Sequence, residues 1–366
     1  MKKWLLDHKF VLITFLVWRL VLFVVSLGAS FIVPIRIGYL GLTPWSNMDG
    51  IHYIQIAQGE HFLYSEAFFP LYPFAIRYLH NFVRLSYENA GIAISIISFF
   101  VGAALLYDLL KEQSENIAKW AILFLFTFPT AFFFTSVYTE GLFFLLAIST
   151  VVLAKKKNFL LAGFFGGLAG AARLVGVFLL IPVLWEYIQM KQRKIKVSDI
   201  VGFLCVPLGL VLYMAYLYHT TGDPLRFFHV QSEFGANRSG NEIILLPQVI
   251  WRYFKIIFSA VGQPTLESYS ISIAEFVFTM TAYILLYYGW RIREELSYIV
   301  YAFVVLTLPT LTGTFSSIPR YILVIFPLFI ILGKIPHKSI KITLIIIFSL
   351  LQIAGTMLYL RGWFVA

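Results

Sequence analysis

Charge is scarce in this 366-residue chain: 13% of its residues are Asp, Glu, Lys or Arg, and 60% are hydrophobic. Soluble domains carry about 25% charged and roughly 45–50% apolar residues. Neither a single soluble particle, a disordered chain nor a solenoid accommodates so much apolar side chain. There is one cysteine, Cys205, inside an apolar run, which excludes intramolecular disulfides and thiolate metal clusters. Phosphate-binding motifs are missing: there is no Gly-x-x-x-x-Gly-Lys-Ser/Thr loop and no strand–Gly-x-Gly-x-x-Gly–helix unit. The five aspartates (7, 49, 108, 199 and 223) never form Asp-x-Asp, the usual metal clamp for a nucleotide sugar. No HExxH occurs, and His52, His61 and His229 lack metal-ligand spacing, so neither a metal nor a cofactor is expected. The net charge of +10 does not indicate nucleic acid, because the basic residues are scattered between apolar runs.

What remains is long apolar runs. A membrane helix needs about 20 mainly apolar residues. Runs of that kind lie at 10–33, 89–110, 117–137, 139–154, 174–190, 198–218, 270–290, 297–314, 318–334 and 341–360. The stretch 159–171 is too short to cross fully and is expected to pair with 174–190 as a short or re-entrant hairpin. The expectation is an all-α membrane protein of about ten or eleven spans, forming a single polytopic domain over 1–366. The first span resembles a signal peptide but is too long for one and lacks an Ala-x-Ala site, so it is expected to remain uncleaved.

Lysine sets the orientation. With one span between successive faces, fourteen of the fifteen lysines fall on one side, Lys255 being the exception. That side is cytoplasmic by the positive-inside rule, and the N-terminus with it. Arginine behaves differently. Arg36, Arg77, Arg84, Arg226, Arg238, Arg252, Arg320 and Arg361 fall outside, and Arg19 and Arg173 within apolar runs. Their planar fork suits bidentate contact with phosphate, although outer arginines also meet lipid headgroups. The two long non-spanning segments, about 34–88 and 219–269, are both outside, so the chemistry is expected there. A site on that face, with no nucleotide motif, requires an activated substrate delivered through the bilayer, such as a lipid-linked phosphate.

In the first outer segment Asp49, His52, Tyr53 and Ile56 follow Ser46 or Asn47, a candidate N-cap, at i, i+3, i+4 and i+7. They are expected on one face of a short interfacial helix. A carboxylate near a helix N-terminus stays ionised and suits a general base. Alternatively Asp49 is itself a cap and His52 and Tyr53 an aromatic belt. Glu140, in SVYTEGLFF, reads as either a solvated turn carboxylate or part of a cavity. Arg173 follows the pairs Gly163/Gly167 and Gly166/Gly170 at membrane depth, where a charge needs a partner or water; the glycine pairs themselves suggest close helix packing. In the second outer segment Asp223-Pro224 starts a helix bearing Arg226, His229 and Gln231, and Arg238 follows in a loop. Residues 246–261 read as an amphipathic surface helix. Arg320 enters an apolar run just after an outer turn.

The segments MDGIHYIQIA, AFFPLYPFAIR, FPTAFFFTSVYTEGLFF, AARLVGVFLLIP and PRYILVIFPLF, in that order over roughly 45–330, resemble the PIG-V family of mannosyltransferases within the GT-C polytopic glycosyltransferases. The resemblance implies a GT-C bundle with a catalytic aspartate in its first large outer loop. It implies an inverting transfer of mannose from a polyprenyl- or dolichyl-phosphate donor to a glycolipid or glycan. Asp49 matches the aspartate of the family's Trp-Asp motif, with Met48 at the Trp position; Arg173 and Arg320 match family arginines. On this reading Asp49 is the base, Arg320, Arg173 and either Arg226 or Arg238 face phosphate, His52 and Tyr53 position sugar or acceptor, and Glu140 is a further substrate-binding candidate. The shorter chain looks like a prokaryotic relative acting at the outer face of the cytoplasmic membrane. Two rival readings are a flippase for a lipid-linked sugar and a non-catalytic scaffold for other glycan enzymes.

Overall fold

A computed structural model describes residues 7–36, 44–190, 196–235, 238–260, 262 and 265–365. Lys2, Lys3, Lys191, Lys194 and Arg193, and residues 37–43 of the segment 34–88, lie outside this set. The described residues form α1 (Lys9–Ile32), α2 (Asp49–Gln58), α3 (Leu71–Val83), α4 (Tyr87–Lys111), α5 (Glu115–Thr127), α6 (Glu140–Lys155), α7 (Phe159–Ala172) and α8 (Leu180–Ile188). They continue through α9 (Val197–Thr221), α10 (Arg226–His229), α11 (Leu246–Ser259), α12 (Leu266–Arg291), α13 (Leu296–Thr310), α14 (Ile318–Tyr321), α15 (Phe326–Gly333) and α16 (Lys338–Leu360). No strand occurs among the described residues. Five helices, α1, α4, α9, α12 and α16, are long and apolar enough to cross a membrane, and the protein is a membrane protein.

Contacts divide the chain into two compact units. The first comprises Met1–Glu60, Tyr72–Val152 and Phe329–Val365. Its helices begin where the sequence supplies acceptors: the Ser86 hydroxyl caps α4 through Asn89 N at 3.1 Å, and Ser114 caps α5 through Ile117 N. The run 117–137, expected as one span, is instead α5 followed by a 3-10 turn at Ala131–Thr135. Pro129 is the cause. It drives Phe128 to an extended ψ of 137° and ends the helix. The carbonyls freed there are used: Gln352 of α16 donates from Nε2 to Phe126 O and Phe128 O, both at 2.9 Å, and accepts at Oε1 from Trp18 Nε1 of α1. One polar side chain thus joins three helices within an apolar core. Lys341, expected only as an orientation signal, is buried and donates to Gly333 O at the end of α15.

The second unit comprises His61–Leu71, Leu153–Leu328 and Ala366. Its centre is the α7–α9 pair. A Cβ at Gly163 would land on the Gly202 carbonyl, and one at Gly209 would lie on the Gly167 carbonyl and 2.6 Å from Ala171 N. The small-residue pattern is therefore a backbone-to-backbone seam. The expected short hairpin is present, with α7 turning through Arg173 into a 3-10 turn at Leu174–Leu179 and then α8. The run 318–334 is likewise broken into α14, a 3-10 turn at Ile322–Val324 and α15, where Pro327 is tolerated in the first turn. At the connector 155–157, Lys155 Nζ bridges Glu186 and Glu295 at 2.9 Å each and Lys157 Nζ meets Glu186 at 2.7 Å, so two orientation lysines also pin α8 and α13.

Candidate active site

In the first unit the chain enters α2 through a 3-10 turn at Pro44–Ser46 and Met48, whose φ of 55° is unusual for a non-glycine residue. Met48 occupies the cap position and supplies no side-chain cap. The expectation that Ser46 or Asn47 caps this helix is corrected by what Asn47 does instead. Its Nδ2 donates to Tyr359 O at 2.6 Å, and its carbonyl accepts from the Tyr138 hydroxyl at 2.8 Å. Val137 N also bonds to Trp45 O, so the turn before α2 is tied to two other parts of the unit. Asp49 is the first residue of α2 and not its cap. The helix N-terminus stabilises its negative charge.

The buried face of α2 carries Gly50, Tyr53 and Ala57. Asp49 and His52 lie beside it, half-buried. Gly50 makes a close approach here, since a Cβ would sit 3.2 Å from Val137 O and 3.3 Å from the Ser46 Cβ. Tyr53 meets Tyr72 edge-on at 5.2 Å and Tyr138 at 6.4 Å; it is a packing residue of the site's floor and not part of an exposed aromatic belt. Tyr72 in turn bonds Gly91 O at 3.0 Å and the Ser95 hydroxyl at 2.7 Å, and Ser95 donates to Tyr138 O. Burial pushes the Tyr72 hydroxyl well above its ordinary pKa, with smaller contributions from Tyr53 and Glu140, so it stays a neutral donor. Glu140 is 1% exposed at the first position of α6, which excludes a solvated turn carboxylate. His52 Nδ1 meets Gln55 Oε1 at 3.1 Å, an arrangement that orients its ring.

At the far end of α2, Arg77 of α3 donates from Nε to Ala57 O at 2.6 Å and from Nη2 to Ile56 O at 3.0 Å. A guanidinium there meets the negative end of the helix dipole and satisfies its last carbonyls. Arg252 Nη1 donates to Gly313 O and Arg361 Nε to Val33 O. Arg77, Arg252 and Arg361 therefore bind backbone, a use that their sequence positions do not disclose.

In the second unit the structure brings Arg173 and Arg320 together. Their guanidinium carbons lie 5.0 and 5.3 Å from the centre of the same Tyr321 ring. Arg320 is 7% exposed. Arg238 lies over Phe234, donates to Gln231 Oε1 at 3.3 Å and reaches the Ser317 hydroxyl at 3.5 Å. Phe234 packs on Tyr64 and Phe68 at 4.7 and 5.9 Å, an aromatic cluster next to that arginine. Arg226 opens the short α10 and helps to hold the Asp223 carboxylate charged.

Asp223 accepts from His229 Nδ1 at 2.6 Å and from Leu225 N at 2.9 Å. The His229 hydrogen bond is the main reason that its carboxyl lies below the usual carboxylate range. The pair therefore stabilises this segment above about pH 4 and loses that contribution as pH falls further. The protection factors of the Leu225–His229 amides, corrected for intrinsic exchange, should stay flat from neutral pH to roughly pH 5 and fall only below about pH 4. Asp223→Asn should abolish that acid step; an opening already complete by about pH 6 would contradict the assignment.

Glu275 and Tyr253 received no role in the sequence reading. The signal was present: an ionisable residue inside the apolar run 270–290. Glu275 is 4% exposed and accepts from the Tyr253 hydroxyl at 2.6 Å.

The sequence profile described as Mannosyltransferase (PIG-V) matches residues 28–225, more than half of the chain. The chain belongs to this family. The match includes Asp49, His52, Tyr53, Glu140 and Arg173. Arg226, Arg238 and Arg320 lie beyond the matched residues. No curated protein matches. Among solved structures, the chain is similar to the Archaeoglobus fulgidus oligosaccharyltransferase tethered to an acceptor peptide containing the NVT sequon, with 12% identity and a TM-score of 0.47. That similarity covers 99% of this chain and 56% of the other, so the chain spans little more than half the length of that relative.

Proposed function

We propose that this PIG-V family member transfers mannose from a polyprenyl- or dolichyl-phosphate donor to a glycolipid or glycan acceptor at the extracytoplasmic face of a prokaryotic cytoplasmic membrane, with inversion and within a GT-C architecture. The observation that carries the reading is the position of Asp49: the first residue of a short helix in the first outer segment, inside the family-matched region. Asp49 takes the proton from an acceptor hydroxyl as its oxygen attacks the anomeric carbon. The bond from that carbon to the donor phosphate oxygen breaks on the opposite face, and its electron pair leaves on the phosphate. The products are the mannosylated acceptor and polyprenyl phosphate. Arg173 and Arg320, on one tyrosine ring, supply positive charge for the phosphate that develops negative charge as it departs. Arg238 and Arg226 provide further positive charge on the second outer segment, and His52 and Glu140 orient sugar or acceptor. The lysine partition supports this sidedness.

The test is incubation of the purified protein with labelled polyprenyl-phosphate mannose and a membrane-lipid extract. Free polyprenyl phosphate should appear mole for mole with a labelled acceptor identified by mass spectrometry. A flippase would move the donor between leaflets of a proteoliposome and leave it intact, and a scaffold would leave it untouched; either result overturns the proposal.

A further inference from the structure

Side chains of α11 and α12 meet at the loop that precedes α14. Tyr253 is on the inner face of α11, whose outer face exposes Trp251 and Phe258. Its phenol has one proton and two lone pairs. The proton goes to Glu275 Oε2 at 2.6 Å, so the contacts with Phe315 N and the Thr314 hydroxyl, both at 3.0 Å, are accepted by the phenol oxygen. The capacity of the hydroxyl is then full. The Glu275 carboxylate also faces the backbone N–H of Ser317 and the side chain of Ser316, with Arg238 within electrostatic reach. Arg252, the residue before Tyr253, holds the Gly313 carbonyl at 2.9 Å. The loop from Gly313 to Ser317 is thereby gripped along its length by α11 and α12.

Ser317 is the node. Its φ is 66°, a left-handed conformation that a serine adopts only where its surroundings hold it. Its carbonyl accepts from Arg320 N and Tyr321 N and so starts the turn that carries Arg320, while its hydroxyl meets Arg238 Nη2. The angle at which this residue is held therefore sets the placement of both arginines. A buried carboxylate is an expensive group to keep among apolar helices unless its hydrogen bonds hold something in place.

We infer that Tyr253 and Glu275 are positioning residues for donor binding: they lock Ser317 in its left-handed conformation and so hold Arg320 and Arg238 at the spacing that receives the phosphate of the lipid-linked sugar. This rests on the reading of Arg320 as a phosphate partner under Proposed function. Neither side chain touches substrate on this account. Their removal loosens the phosphate site without touching the base at Asp49, so the loss falls on donor affinity and leaves the chemical step alone.

The experiment compares Tyr253→Phe, Glu275→Gln and Arg320→Lys in the purified full chain with polyprenyl-phosphate mannose as varied substrate. Tyr253→Phe removes the acceptor for Phe315 N and Thr314 and should raise the donor KM about tenfold, with kcat and the acceptor KM within about twofold of wild type. Inhibition by the product, polyprenyl monophosphate, should weaken by the same factor, which a merely structural role would not produce. Glu275→Gln preserves shape and replaces a charged acceptor by a neutral one; it should show the same split and decides the matter if Tyr253→Phe does not fold. Unchanged donor KM in both, or a fall in kcat alone, overturns the proposal. If Arg320→Lys also leaves the donor KM unchanged, the assignment of Arg320 falls first and takes the positioning role with it. A change in Arg320→Lys without one in the other two rejects only the positioning role.

Discussion

Asp49→Asn is expected to lower mannosyl transfer by about a thousandfold, the scale of a lost general base, while expression and thermal unfolding stay at wild-type values. The substitution keeps the shape and leaves the anchors of the preceding turn in place: Asn47 on Tyr359 and Tyr138, and Val137 on Trp45. What it removes is a carboxylate at the first position of α2, where the helix dipole favours negative charge. An amide cannot take a proton from the acceptor hydroxyl. The loss should appear in kcat with the donor KM nearly unchanged, the reverse of the split expected for Tyr253→Phe. Initial rates with purified protein and labelled donor measure both. Full activity of Asp49→Asn would remove Asp49 from the chemistry.

The second large effect concerns stability. Gly209→Ala should destabilise the folded protein by more than about 3 kcal/mol, beyond most single substitutions, because the added methyl has nowhere to go. It would land on the Gly167 carbonyl and 2.6 Å from Ala171 N, and backbone on both sides of the α7–α9 seam cannot swing aside as a side chain can. Gly28 is the control. It lies in α1 with nothing within 4 Å of the added Cβ, so Gly28→Ala should be neutral or stabilising by up to about 1 kcal/mol, from helix propensity alone. Thermal unfolding in detergent reads both. Equal melting temperatures for the two variants would mean that the seam is looser than the structure has it.

Some of the candidate site was legible in the sequence. Asp49, His52 and Tyr53 lie on a short helix as their spacing requires, and Arg173 sits at a hairpin tip. The cap of α2 was not legible, since Ser46 and Asn47 carry the right chemistry and the chain uses Asn47 for a bond to a residue 312 positions away. The unbroken runs 117–137 and 318–334 misled for a different reason. Their apolar composition meets the requirement of the bilayer whether or not the helix continues, while Pro129 stops the first run and the second breaks at Ile325, whose ψ of 70° is not helical. The arginines were the least legible: Arg77 and Arg252 hold backbone carbonyls, and Arg173 and Arg320 share a ring.

By itself the sequence determines membrane residence, helical class, the amphipathic surface helices and the close helix seam, because hydrophobic length, periodicity and residue size act locally and leave a repeat along the chain. Only the tertiary structure decides which ionisable groups are buried and what they hold. Glu275, Tyr253, Thr314 and Ser317 come from three parts of the chain and share no spacing. A hydrogen bond is directional and short-ranged, so its partners are chosen by the packing of the helices that carry them, and that packing leaves no period to read.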